Sequence, residues 1–502
     1  MLKKLAQFAL LLALLLTAAI AVLSGWPLAE PLPQKQAATP GFLIKNIQLV
    51  DVQAGRILAG KSLVIRAGRI REILDQAPPT LAENVTVIDG GGRYVIPGLW
   101  DMHNHFAFQT APQMSMPLYI AAGVTHVREM QGIVNINEER RAWKAQIEAG
   151  RLLGPKIVAY ADEMVGGNYD EQDLDSLVRR SAESPDTFIK VYSAVMPQRF
   201  LTLAGLAKEQ GVVIAGHYPN SVNPIDAANA GQKSFEHGLL FLNHAYAGAD
   251  DLRQQYRAYY AGQGSLERPL EQRNRVFSDF DPARFEALVA AMLSNGTYFC
   301  PTHITRRFEA LAHDEAFRAD ERLKYIPPMV NMVWQDDADS EAAWEGEAGK
   351  DHLMQVYLRG LELTGMAHEK GVKVLAGSDS LDPYSFPGLS LHDELSELVK
   401  AGLSPAAALR AATMTAAEYF SLEADYGSVA PGKLADLVFL NSNPLEDIGN
   451  TRDIRAVFFN GAYYSESDLQ GMLDYVEQSN SGIRGVILSL KMFWRLMRDN
   501  RH

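Results

Sequence analysis

Six side chains able to hold a metal or move a proton stand at or near the ends of short apolar runs. His103 and His105 close "VIPGLWDMHNH", and Lys190 lies inside "FIKVYS". His217 ends "VVIAGH", His237 sits in "KSFEHG", and Asp379 ends "KVLAGSD". In a strand, residues two apart face the same side, so His103 and His105 point to one place. Several imidazoles with a carboxylate suit zinc or a similar divalent ion. The single cysteine, Cys300, excludes an internal disulfide and a thiolate-rich metal site. Lys190 is the sharpest anomaly, because a buried unpaired ammonium is costly and needs a carboxylate partner or a chemical modification. Asp379 poses the same problem with opposite charge, and a metal site relieves both. A strand-end histidine taken alone is ordinarily a hydrogen-bonded structural residue. That reading holds for His126, His244, His313, His352, His368 and His392, and less firmly for His303.

The elements that must position these residues follow a βα rhythm. The strand candidates are "YVIPGLWDMH", "VTHVREM", "PKIVAYA", "FIKVYS", "VVIAGH", "KSFEHG", "TYFCPTH" and "KVLAGSD", with helical stretches such as Asn137–Gly150 and Pro197–Gly211 between them. This pattern predicts an α/β fold, a (β/α)₈ TIM barrel over residues 97–420, whose C-terminal strand ends converge on one site. Short alternating strands in residues 41–96 and 421–466 predict a small β-sandwich domain formed from the N- and C-terminal segments. The interval from Gly238 to Thr297 is long and polar, which predicts an inserted helical lid or cap.

The chain has 502 residues, with 47 Lys plus Arg against 60 Asp plus Glu, a net charge of −13. Such an acidic chain without a basic stripe is a poor nucleic-acid binder. Residues 1–26 carry Lys3 and Lys4 before an apolar run from Leu5 to Gly25, the pattern of a signal peptide or an N-terminal membrane anchor. A Pro-rich linker, residues 27–40, follows. The expected location is therefore the exported, periplasmic or extracytoplasmic side, with membrane contact through the N-terminal segment. Residues 467–502 form a helical tail, and its end, "GIRGVILSLKMFWRLMRDNRH", alternates apolar and basic residues at helical spacing. This helix either lies on an anionic membrane or docks on the barrel or a second subunit, which leaves a homo-oligomer open.

The motifs "VIPGLWDMHNH", "FIKVYS", "GHYP", "SFEHG", "AGSDS" and the tail "YGSVAPGKLADLVFLNSNPLEDI" resemble the amidohydrolase superfamily. With "LHDELSELVKAGLSPAAALRAATMTAAEYF", the resemblance is to its prolidase and imidazolonepropionase-like branch, over about Gly41 to Tyr464. The resemblance implies a metal-dependent hydrolase of C–N bonds acting through an activated water on dipeptides or N-acyl amino acids. It implies two zinc ions bridged by carboxylated Lys190, with His103, His105 and Asp379 on one ion and His217 and His237 on the other. Asp379 would also be the general base. "GSDS" in place of "GTD", "VREMQG" in place of "VRDMGG" and the long 238–297 interval depart from the pattern. With Lys190 unmodified, His103, His105, His217 and Asp379 would form a single-metal site. Two other readings remain: a cyclic-amide hydrolase or deaminase with one metal, and a catalytically inactive membrane-tethered binding protein. Tyr192, Tyr218 and His303 are candidate substrate contacts, and Arg306 and Arg307 candidate partners for a substrate carboxylate.

Overall fold

The alternation of apolar residues in the first segment folds into β1 (Gly41–Asp51), β2 (Arg56–Arg66), β3 (Arg69–Leu74), β4 (Val85–Asp89) and β5 (Tyr94–Pro97). The buried parallel strands are β6 (Leu99–Asn104), β7 (Val124–Glu129), β8 (Lys156–Val165), β9 (Thr187–Val191), β10 (Ile214–Gly216), β11 (Ser234–Glu236) and β12 (Tyr298–Cys300). Near the C-terminus come β13 (Leu437–Leu440), β14 (Ile454–Phe459) and β15 (Ala462–Ser465). These elements belong to a computed structural model that describes residues 29–36, 41–77, 85–106, 112–132, 136–166 and 171–499. The apolar segment Leu5–Gly25 lies outside the described residues; of the expected linker, residues 29–36 are described and dock on the barrel, where Gln34 Nε2 donates to the carbonyls of Ile147 (2.7 Å) and Leu152 (2.9 Å).

Strands from both ends of the chain form one eight-stranded sheet, in the order β15-β14-β13-β5-β1-β2-β3, with β4 also paired to β1. The first half of β1 pairs with β4 and its second half with β5. The sheet curls over its own core. Phe42 of β1 meets Phe458 of β14 with ring centroids 5.0 Å apart, whereas three flat strand spacings would separate their backbones by about 14 Å.

The seven parallel strands run β12-β11-β10-β9-β8-β7-β6 and are largely buried. The eighth expected strand is not a regular one. Residues 373–379 nevertheless fill the gap: Phe299 N donates to Lys373 O (2.9 Å), Leu375 N to Phe299 O (2.8 Å), Met102 N to Ala376 O (2.9 Å) and Asp379 N to His103 O (2.7 Å). Hydrogen bonds to β12 on one side and β6 on the other close the barrel. Gly377 permits this approach, since a Cβ there would lie 2.6 Å from Cys300 Sγ and 2.8 Å from His103 N.

The expected "YVIPGLWDMH" strand divides at Gly98, where the chain passes from the curled sheet into the barrel. A Cβ on Gly98 would sit 2.2 Å from Thr125 Oγ1. Around this crossing His126 stacks on Trp100, with centroids 4.3 Å apart, and Lys156 Nζ donates to Asp436 Oδ2 at 2.7 Å. His126 is thus the structural histidine its sequence position suggested, as is His392, held between Thr451 Oγ1 and the carbonyl of Ala122.

The Gly238–Thr297 interval is helical, as expected: Leu240–His244, Ala249–Tyr260, Leu270–Ser278 and Pro282–Asn295. A second helical addition, not separated in the sequence, brings Pro328–Ala343 and Gly346–Glu369 over the same end of the barrel. The tail forms the helices Glu466–Asn480 and Gly482–Asp499. Of the two readings of its last helix, docking accounts for one face: Ile487, Leu488 and Ser489 are buried, with Leu488 against Met114. Ile483 and Val486 remain exposed. Among the described residues no helix is long and apolar enough to cross a membrane.

Two glycine substitutions separate close packing from backbone freedom. Gly377→Ala should destabilise the chain by about 1–3 kcal/mol, because backbone must move. Gly205→Ala, exposed within the helix Pro197–Gln210 with nothing within 4 Å of its new Cβ, should stabilise it by about 0.5–1 kcal/mol. Urea unfolding of both variants checks the opposite signs.

Candidate active site

The barrel delivers the predicted donors to one place. β6 ends in His103 and leads to His105, β9 carries Lys190, and His217 and His237 directly follow β10 and β11. Asp379 follows the closing segment. Its Oδ1 lies 2.8 Å from His105 Nε2 and 3.2 Å from His103 Nε2, and its Oδ2 lies 3.3 Å from His237 Nδ1. The His217 and His237 rings are 4.4 Å apart. Two of these residues, His237 (71°) and Asp379 (50°), stand at positive φ, as does Thr302 (44°), whose hydroxyl meets His237 Nδ1 at 2.9 Å. Backbone in this region persists only where surrounding structure holds it, and it concentrates at functional sites. Gly216, at φ 128°, precedes His217 because a Cβ there would lie 2.4 Å from Val191 O.

Two chains of buried side chains fix the imidazoles. His103 Nδ1 donates to Glu236 Oε2 (2.9 Å), and Glu236 Oε1 accepts from Arg128 Nη2 (2.8 Å) and Ser234 Oγ (2.5 Å). His105 Nδ1 donates to Gln131 Oε1 (2.7 Å), while Gln131 N donates to Glu129 Oε1 (3.0 Å) and Glu129 pairs with Arg140 (2.8 Å). Asp101 ties the two halves of the site together by accepting from His103 N (3.2 Å) and Ser378 N (2.9 Å).

These bonds set the protonation of the rings. Burial, with the Lys190 charge nearby, lowers His105 to about 4 and His217 to about 3, and holds His103 well below the ordinary histidine range. The imidazoles are therefore neutral, and the Nδ1 hydrogens of His103 and His105 are committed to Glu236 and Gln131. Both Nε2 atoms then carry lone pairs, and they face one another at 3.2 Å with a carboxylate oxygen beside them. Three lone-pair donors in contact repel unless a cation lies between them. Their separations match the about 3.3 Å expected between donors about 2.0–2.1 Å from a tetrahedral ion. His103, His237 and Asp379 also bring their donor atoms within 4.8 Å of one another. His217 Nδ1 is buried without a hydrogen-bond partner among the described residues. The donor set fits a divalent metal. A second grouping, His103 with Glu236 and Cys300, fits poorly, because Glu236 is already satisfied and burial pushes the Cys300 thiol well up.

A cavity of about 350 Å³ opens on this cluster. Its wall includes His105, Lys190, His217, His237 and Asp379, together with Gln131, Met164, Tyr192, Arg306, Leu381 and Asp382. Lys190 is buried and makes no hydrogen bond or ion pair among the described residues, and burial lowers its pKa. Burial raises Asp379 to about 6 and Asp382 to about 7. Of the candidate substrate contacts, Tyr192 lines the cavity, its ring 4.6 Å from His217. Tyr218 and His303 stand behind the wall instead. Tyr218 accepts from Asn243 Nδ2 (2.9 Å), and His303 is fully buried against Thr364 Oγ1 (2.9 Å). Thr302, in the left-handed region, turns the chain so that His303 begins the helix His303–Leu311 facing inward. That helix presents Arg306 to the cavity, while Arg307 lies near Asp393 and Glu397 outside it. The orienting residues Arg128, Glu129, Gln131 and Glu236 were not singled out from the sequence, although charges in the apolar strand "VTHVREM" offered the signal that revealed Lys190.

Residues 360–463 match the model of the amidohydrolase family, the family that the motifs resemble. The chain is 23% identical over 422 residues to "Adenine deaminase 3" of Rhizobium meliloti, covering 81% of this chain and 56% of that protein. It spans about half the length of the curated adenine deaminases that it matches over most of its own residues (56% and 54%). Among solved structures, a bottromycin amidohydrolase superposes with a TM-score of 0.66 at 20% identity, over 94% of this chain and 96% of that one. A Xaa-Pro dipeptidase with methionine bound in its active site superposes with a TM-score of 0.59 at 22% identity, over 85% and 100%. These likenesses bear out the expected barrel and accompanying sheet.

Gln131→Met keeps the volume but removes the acceptor that fixes the His105 tautomer. It should weaken divalent-metal affinity by about 10–100-fold without altering the melting profile, as read by competition with a chromogenic chelator. Unchanged affinity would mean that Gln131 does not set the ring.

Proposed function

We propose that the chain is a metal-dependent hydrolase of linear amide C–N bonds, acting on dipeptides or N-acyl amino acids. The observation that carries the reading is the convergence of His103 and His105 Nε2 lone pairs and the Asp379 carboxylate on one point at 2.8–3.2 Å. His103, His105 and Asp379 would hold one ion and His217 and His237 a second, with zinc the ion that imidazole and carboxylate donors favour. A divalent ion in such a site lowers the pKa of water and polarises a carbonyl oxygen.

The chain's own residues supply the rest. Asp379 takes the proton of the attacking water and delivers it to the leaving nitrogen. Lys190 is buried, and burial lowers its pKa. Addition of its nitrogen to the carbon of CO₂, with loss of a proton, would give an anionic carbamate that could help hold the metal. Arg306 uses one guanidinium nitrogen on Glu309, at 2.6 Å, and retains donors toward the cavity for a substrate carboxylate. That cation favours amino-acid amides over the neutral purine ring that the names of the sequence relatives indicate. Tyr192 offers its ring as a wall.

The targeting pattern Lys3-Lys4 followed by Leu5–Gly25 supports export of this enzyme with the body outside the cytoplasmic membrane. Cell fractionation with and without residues 1–26 tests that placement.

Chelator treatment should abolish turnover, and zinc should restore it. Asp379→Asn should keep the fold and lose roughly 10²–10⁴-fold in kcat. A panel of dipeptides, N-acyl amino acids, lactams and adenine ranks the substrate, and turnover of adenine alone would replace the amide reading with deamination. Mass spectrometry of the native chain should find carbon dioxide on Lys190, and a Lys190→Ala variant should bind fewer metal ions per chain.

A further inference from the structure

Arg306 lines a second cavity as well, of about 480 Å³, walled largely by the helical additions rather than by barrel strands. Arg268 and Arg273, from the 238–297 interval, face it together with Tyr256, Trp344 and His352. The Arg273 guanidinium lies 5.1 Å from the Trp344 ring centroid, and Arg273 Nε donates to the carbonyl of Arg268 at 3.1 Å. Neither Arg268 nor Arg273 has a carboxylate partner among the described residues, and Arg268 Nε is buried without any hydrogen-bond partner. The carboxylates on this wall are Glu309, already paired with Arg306, and Glu341. His352, whose Nδ1 is bonded to Asn274 Oδ1 (2.6 Å), is lowered to about 4 by burial and by the two guanidiniums, so it adds no positive charge. Two guanidiniums without carboxylate partners (Arg268 also meets the Tyr246 hydroxyl), a flat indole face and aliphatic walls from Leu242, Val276 and Val356 describe a receptor for an anionic group on an apolar arm.

We propose that this second cavity binds the distal end of the substrate, and that this end is an acid, a carboxylate or a phosphate. The proposal rests on the amide-hydrolase reading above and deepens it: the scissile bond sits at the His–Asp cluster, the arm passes Arg306, and the acid is held by Arg268 and Arg273. A compact substrate would leave this cavity unused, which makes the helical additions the determinant of substrate length.

The test has a binding arm independent of turnover. The full metal-loaded chain is titrated with glutarate and, separately, with inorganic phosphate, followed by calorimetry and by tryptophan fluorescence. Saturable binding is expected for one or both, which also tells carboxylate from phosphate. It should weaken at least tenfold in Arg268→Gln/Arg273→Gln and persist in Asp379→Asn, and Trp344→Phe should remove much of the fluorescence response while calorimetry still detects binding. Should the double variant fail to fold, Arg273→Lys, which keeps the charge but loses the fork, should still weaken binding severalfold. The kinetic arm compares N-glutaryl with N-acetyl derivatives of one amino acid. A preference of at least tenfold for the glutaryl compound in kcat/KM, lost in the double variant, supports the assignment. Absence of saturable binding, or binding indifferent to both arginine variants, overturns it whatever the turnover. Intact, arginine-dependent binding with no amide hydrolysed would instead count against the hydrolase reading alone.

Discussion

A carboxylate buried among four imidazoles and an amine is the constraint around which the molecule is organised. Desolvation penalises every charged form in that cluster, so the rings are neutral and the Asp379 carboxyl is raised to about 6. Neutral rings with fixed tautomers become lone-pair donors, and a cation placed among such donors relieves their mutual repulsion. The fit of the site to a divalent ion therefore comes from burial and hydrogen bonding together, more than from the presence of histidines. A cluster of the same residue types on an open surface would be solvated and would impose no such requirement.

Much of the surrounding architecture holds this arrangement in register. The Arg128–Glu236 pair behind His103 and the Arg140–Glu129 pair behind Gln131 are both fully buried. Buried ion pairs are weak sources of stability but confer orientation, and each here reaches a ring through one hydrogen bond or one intervening amide. Asp101 adds a bond from strand β6 to the closing segment, so His103 and Asp379 cannot drift apart independently. Glu394 accepts from Ile304 N (3.1 Å) at the start of the helix that carries Arg306, which fixes the cationic wall of the cavity to the same frame.

The barrel and the side chains that converge at its end were legible in the sequence because each rests on a local signal. A charge inside an apolar run marked Lys190, and period-two spacing paired His103 with His105. The same signal was present at Arg128, Glu129 and Glu236, but a reading that looks for ligands passes over residues that hold ligands. Tyr218 and His303 were misplaced for a different reason. Which way a residue faces just beyond a strand depends on a single backbone turn, such as the left-handed Thr302, and residue type does not encode it. Gln131, Leu381 and Asp382 come from segments after strand ends, where no periodicity exists to read. The eighth strand was visible as a pattern, yet the close approach at Gly377 leaves it too irregular to form a continuous ladder. The second helical addition shared its composition with ordinary barrel helices and so carried no mark of its own.

The crossing at Gly98 sets how the molecule can change. One extended stretch of chain is a strand of the curled sheet up to Pro97 and a barrel strand from Leu99, with no linker between. Next to it, the Lys156–Asp436 pair and the bond from Gly98 N to the carbonyl of Asp436 (2.8 Å) join the two sheets at the end where the barrel strands begin. With no slack at that junction, neither sheet can tilt or loosen without the other, and they should gain and lose structure as one cooperative unit. Among the described residues the opposite end of the barrel has no such tie. There the chain has room for whole helices between strands, so the molecule has one end fixed by mechanics and another open to revision.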